Sequence, residues 1–548
     1  MILIDPKLAT ARRSAFTLVE VMVSIAVALL LLLGVNQVFH ATALTTGVGL
    51  ALSTSQQMSR TVKSSLQDDL KNGAWDTGIL IIRNEQVYAY RNTADQQSAA
   101  DPSNPAKPDP ALSSAFPGGL YPAYTINSRS HRVDRIAFFA RGLFDRQTSP
   151  GPMDTTPVQA TEAWVWYGHL ALPNNAVLKG QTRDDWTNPQ QPAQYFGPGA
   201  ANTGNATNDN NFFASDWTLG RFATLLLGPS NTFSAATLKM NPDYLRFDLS
   251  ISYATPLSYD SVSAAVSGGS PEFAYKSLHD VAGDSIANFT ARLSQDVSAT
   301  SPAVIPADGI PWYCSMIGID SQQPPADHRY QASPYIPSVG LDSNNTSRIS
   351  PTSLALAAPV MARGCCHFIV EYAGNFLTQT DAPGTIDDGT ITSGVPSQNS
   401  DHIDFVSVYD PNTFQYVRKI RWYGFPRDTN GIPGIQYDDV LPLRDVLALN
   451  NAGPPAPFEH FGVGFPNAPS AIVTKGPLVQ SNTLAQYNQL GNQPDYAYTC
   501  AWGAYPARQP PWPNYGLPKL LRITVVFDDP NGRLGTEQSY EYIIDLRN

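Results

Sequence analysis

From Val21 to Ser59 the chain carries no Asp, Glu, Lys or Arg, and any fold has to accommodate that charge-free run. Its first part, Val21 to Val35, is apolar enough for a helix that crosses a hydrocarbon layer, which takes about 20 residues. Glu20 stands at the lip of this run and is the only formal charge between Arg13 and Arg60. An acid at mid-membrane costs on the order of 2–3 kcal/mol, so Glu20 calls for a partner of opposite charge. A cut between Ala15 and Phe16 supplies one, because the new α-amino group of Phe16 is positive near neutral pH. Glu20 of one subunit would then neutralise the terminus of a neighbour inside a helical bundle, where unpaired charges are expensive. That pairing would fix the axial offset between subunits.

The stretch Arg12-Arg13-Ser14-Ala15-Phe16-Thr17-Leu18-Val19-Glu20 resembles the class III signal of type IV pilins and type II secretion pseudopilins. Their pattern is a basic leader, a small residue, then Phe-Thr-Leu-x-Glu and a long apolar helix. Ala15 stands where the family normally has Gly. The resemblance implies that a prepilin peptidase removes residues 1–15 and that Phe16 is N-methylated. It implies assembly with other pilin or pseudopilin subunits through Phe16 and Glu20, on an inner-membrane platform. Lys7, Arg12 and Arg13 keep the amino end cytoplasmic, which places the body in the periplasm. Two other readings of the segment stand beside this one. A secretory signal would be cut near Ala41-Thr42-Ala43, and a plain anchor would keep its leader and make no use of Glu20.

The helix is expected to run from Phe16 to Lys71, about 84 Å at 1.5 Å per residue. Leu44, Val48, Leu52, Met58, Val62, Leu66 and Leu70 form one stripe at helical spacing, able to pack under a globular body. Gly34, Gly47 and Gly49 weaken it locally, where a bend or break is expected. Asn72-Gly73 reads as the stop.

Beyond Gly73 the pattern turns to period two. Strands are expected at Ile79 to Tyr90, Val133 to Ala140, Ala163 to Leu172, Leu245 to Tyr253 and His367 to Tyr372. A hairpin is expected from His402–Tyr409 and Phe414–Tyr423 across Asp410-Pro411-Asn412. Two closing strands around Leu521–Phe527 and Tyr540–Leu546 flank the turn Asp528-Asp529-Pro530-Asn531-Gly532. Ser285 to Val297 reads as a structural helix. With 46 Pro and 39 Gly among 548 residues, long loops are expected, such as Asn92–Pro110. Another is Thr182–Asn211, with Trp186, Tyr195 and Phe196 folded back on it. The fold class is α+β: a leader (1–15), an apolar spine helix (16–71), and a large, mostly antiparallel β body in two parts (72–300 and 301–548). The order of its last elements resembles the J-type minor pseudopilins and PilW-like minor pilins.

A net charge of −11 excludes a basic nucleic-acid-binding surface. Cys314, Cys365, Cys366 and Cys500 show no CxxC spacing and so no zinc ribbon. In a periplasmic body Cys365 or Cys366 pairs with Cys314 or Cys500, or all remain buried thiols. The eight histidines fall into no HxxxH or HExxH pattern, and no P-loop, GxGxxG or GxSxG is present. Cys366-His367 is set aside as a nucleophile pair because strand neighbours point to opposite faces. No cofactor is expected. Calcium is the one metal considered, with Asp387 and Asp388 as first choice among the paired acids. The reading is a non-enzymatic minor pilin or pseudopilin at the tip or initiation point of a filament. The alternative is an anchored binding or adhesion module that does not polymerise.

Overall fold

The computed structural model describes residues 17–89, 91, 130–145, 159–170, 172–173, 195–196, 198, 213–226, 281–282, 285–287, 290, 360–379, 391–392, 402–410, 413, 415–425, 440, 459–462, 496–502, 517–529, 532–534 and 536–547. The expected strand Leu245–Tyr253, the loop Asn92–Pro110 and most of the expected helix Ser285–Val297 lie outside these. Most of Thr182–Asn211, Trp186 included, does too. The chain divides into two compact units, Met1–Thr54 and Ser55–Asn548.

One helix, α1 (Leu18–Lys71), opens the chain. It passes Gly34, Gly47 and Gly49 without a break. The strands follow as β1 (Leu80–Tyr88), β2 (Ser130–Arg132), β3 (Arg135–Asp145), β4 (Gln159–His169), β5 (Leu172–Pro173) and β6 (Tyr195–Phe196). Next come β7 (Thr218–Leu226), β8 (Val281–Ala282), β9 (Val360–Arg363), β10 (Cys365–Ala373), β11 (Thr378–Gln379) and β12 (Ile391–Thr392). The last six are β13 (Phe405–Asp410), β14 (Gln415–Ile420), β15 (Glu459–Gly462), β16 (Tyr496–Trp502), β17 (Leu520–Phe527) and β18 (Gln538–Asp545).

Among the described residues nine strands form one sheet along the path β15-β16-β1-β3-β4-β7-β8, with β2 added to β1 and β9 to β7. A second sheet has the order β10-β17-β18, and β13-β14 is the expected antiparallel hairpin. Apart from the short parallel pairing of β8 with β7, the strand pairings are antiparallel. The fold is thus α+β. Strands from both parts of the body share the large sheet, since β16 pairs with β1 and β9 with β7.

The core explains the helical stripe over its last turns. Val62, Leu66 and Leu70 are fully buried among Leu80, Ile82, Phe138, Phe368, Ile523 and Val525. Each such side chain contributes roughly 1.5–3 kcal/mol by leaving water. Polar residues on the same face find partners in the second sheet: Ser55 Oγ lies 3.2 Å from Tyr540 Oη, and Tyr542 donates to the Ser59 carbonyl at 3.0 Å. Asp69 takes two hydrogen bonds from Arg221 at 2.6 and 2.8 Å and a third from the Tyr167 hydroxyl, tying the helix end to β4 and β7. The helix stops at Asn72-Gly73, as expected. A Cβ on Gly73 would meet the Trp75 ring at 2.3 Å, and that ring donates to the Leu70 carbonyl at 3.1 Å.

Two buried carboxylates hold the body together. Asp134, between β2 and β3, accepts from Asn84 Nδ2, the Glu85 and Val370 amides, and Arg132 Nε and Nη2, at 2.6–3.0 Å. Those donors come from both sheets. Asp404 accepts from the Tyr423 hydroxyl at 2.6 Å and the Phe376 and Leu377 amides at 2.9 and 3.1 Å.

Burial pushes the Asp404 carboxyl up to about 7, against the ionised form its three donors favour. The folded protein therefore holds a proton that the unfolded chain loses near pH 3.8. This contribution is complete below that pH and is lost as pH rises through 7. Compared with Asp404→Asn, the wild type is expected to lose up to about 4 kcal/mol across this window. Urea midpoints measured against pH check this, and parallel profiles would contradict it.

Candidate functional site

Thr17 and Glu20 open α1 as a reciprocal pair. The Glu20 amide donates to Thr17 Oγ1 at 3.3 Å, and the Thr17 amide donates back to Glu20 Oε2 at 2.9 Å. The Thr17 hydroxyl donates to the same oxygen at 3.0 Å. This is a capping box, which satisfies two of the orphan donors at a helix start. A negative group there also suits the helix dipole. The carboxylate is thus held in a defined place at the mouth of the helix by Thr17 of its own chain. The signal was present in the sequence as Thr-x-x-Glu before an apolar run.

Behind this mouth the side chains are apolar and open. Leu18, Leu30, Val38 and Phe39 are all at least 66% exposed. Among the described residues α1 is the helix long and apolar enough to cross a membrane. Of the stripe named above, Leu44 and Leu52 remain exposed on the first unit. Ala15, Phe16, Cys314, Asp387 and Asp388 lie outside the described residues, so the cleavage site, the calcium candidates and one disulfide partner have no geometry to report.

Residues 10–36 match the prokaryotic N-terminal methylation motif. With the apolar helix near the amino end, the match supports a type IV pilin-like or pseudopilin protein processed by a prepilin peptidase. The motif implies pilin-type assembly with other subunits and is consistent with membrane anchoring. No curated protein and no solved structure matches the chain.

A second concentration of chemistry lies inside the body. Cys365, Cys366 and Cys500 are buried free thiols, so neither Cys365 nor Cys366 is joined to Cys500. Gly364 directs this region. Its φ of 71° is left-handed, and a Cβ there would strike the Asp528 carbonyl at 2.4 Å. At this glycine the chain leaves β9, in the large sheet, for β10, in the small one. A bulge follows at once: Cys365 opposes Phe527 and His367 opposes Val526, leaving Cys366 as the extra residue. Cys365 and Phe368 face the main core, while Cys366 joins Trp217, Val133 and Val526 in a separate cluster.

The bulge overturns the expectation that Cys366 and His367 face apart. It turns both toward His131 of β2, and ligating atoms of all three lie within 4.8 Å of one another. His367 Nδ1 accepts from the Arg132 amide at 3.1 Å, so its Nε2 carries the ring proton and donates to His131 Nδ1 at 3.1 Å. His169 packs edge-on against Trp217, as His131 does, and donates through Nε2 to the Cys365 carbonyl at 2.7 Å. Burial lowers His367 well below its ordinary range and His169 to about 4. It raises the Cys365 and Cys366 thiols. These shifts favour the neutral forms of His367, His169 and both thiols at neutral pH. No signal in the sequence announced the bulge that assembles it.

Proposed function

We propose that this chain is a non-enzymatic minor subunit of a type IV pilus-like filament or type II secretion pseudopilus. It sits in the inner membrane with its amino end cytoplasmic and its body periplasmic until a platform extracts it. The observation that carries this reading is the methylation motif placed on a helix whose Glu20 is fixed at the helix mouth. The size of the body supports a tip or initiating position over a repeated shaft. Removing the leader leaves 548 minus 15, or 533, residues, which a close-packed shaft does not readily accommodate. The closing pair β17–β18 and the turn between them support a J-type or PilW-like subunit within that class.

Immunogold labelling of sheared filaments tests the placement. Label confined to one end is expected. Label along the whole length contradicts the tip, and label only on cell membranes supports the anchored, non-polymerising alternative.

A further inference from the structure

The geometry points to a structural site for a thiophilic divalent ion of the zinc class, ligated by His131 Nδ1, His367 Nε2 and Cys366 Sγ where the two sheets meet. The two imidazole nitrogens are 3.1 Å apart. Two nitrogens bound to one tetrahedral zinc at 2.0–2.1 Å stand about 3.3 Å apart, so a small separation of the rings admits the ion. Nitrogen and sulfur donors exclude calcium and magnesium, which take oxygen.

Charge favours the thiol as one of the three ligands. Cys366 Sγ–H donates to the Val526 carbonyl at 3.4 Å, and His367 Nε2–H points at His131. An ion bound to all three donors displaces the thiol proton to solvent, and the His367 ring proton moves from Nε2 to Nδ1. One divalent cation is then half neutralised by the thiolate, which leaves less charge to bury than three neutral donors would. The Arg132 amide gives up its bond to His367 Nδ1, which becomes the ring's N–H donor, the state in which metal-bound histidines are held by their outer hydrogen bonds.

Placement gives the ion a task. His131 belongs to β2 in the nine-stranded sheet, Cys366 and His367 to β10 in the three-stranded one. An ion among them cross-links the sheets at the junction that Gly364 creates. Binding free energy at such a site appears as folding free energy.

The test uses the full-length chain in detergent, purified without a histidine tag, stripped with EDTA and reloaded with Zn2+ or Co2+. We expect about one equivalent of zinc by mass spectrometry and a higher melting temperature. The cobalt form should show the near-ultraviolet thiolate-to-metal band. Cys366→Ser and His131→Gln should each weaken zinc binding more than about tenfold, while Cys500→Ala should not. Should the ligand variants fail to fold, the wild-type stoichiometry and cobalt band decide alone. A reloaded wild type with no bound metal, no thiolate band, or a band that persists in Cys366→Ser overturns the proposal.

Discussion

Glu20→Gln is expected to cut incorporation into filaments by roughly 30- to 150-fold, the equivalent of 2–3 kcal/mol, while the monomer still enters the membrane. Glutamine separates two roles that alanine would merge. Its amide oxygen can still accept the Thr17 amide at the helix start, so the capping box survives. Only the charge is lost, and with it the partner proposed for the Phe16 amine of a neighbour. Glu20→Ala removes the cap as well, worth about 1 kcal/mol at the first turn. The ratio of variant to wild type in sheared filaments, against the same ratio in membranes, reads the effect. Equal ratios in both fractions would mean that the carboxylate is no more than a helix cap.

Asp134→Asn is expected to destabilise the body by about 3–5 kcal/mol, the cost of breaking a buried ion pair from one side. Asp134 is fully buried, and Arg132 is only 4% exposed. Asparagine keeps one acceptor oxygen for five donors and leaves the Arg132 guanidinium without its bidentate partner. The amides of Glu85 and Val370 compete for what remains, one from each sheet. Asp545 provides the contrast. It pairs with Arg547 near the surface, both side chains about a third or more exposed, so Asp545→Asn should cost less than about 1 kcal/mol. Urea unfolding of both variants gives the comparison. Equal losses would remove Asp134 from its place as the joint between the sheets.

Local periodicity made much of the fold legible. Val62, Leu66 and Leu70 announced a buried helix face, and Leu521, Ile523 and Val525 a core strand, because side-chain direction follows from the backbone repeat. Periodicity does not say who covers a face. Leu44 and Leu52 belong to the same stripe, yet both are exposed on the first unit. Asp134 was unreadable for a different reason. Its donors at 84, 85, 132 and 370 converge only once β1, β2 and β10 have met. Cys366 and His367 misled because a bulge breaks the two-residue repeat on which the reading rested. At the amino end the sequence carries both halves of the site, the charge of Glu20 and the Thr17-x-x-Glu20 cap.

A cut ahead of Phe16 would free the amine that the proposed pairing with Glu20 requires. Intact mass and amino-terminal peptide sequencing of the protein from its native membrane decide this directly. The prediction is a chain that begins at Phe16 and carries one methyl group on its nitrogen. A chain that retains Met1, or one that begins at Leu44, would contradict it.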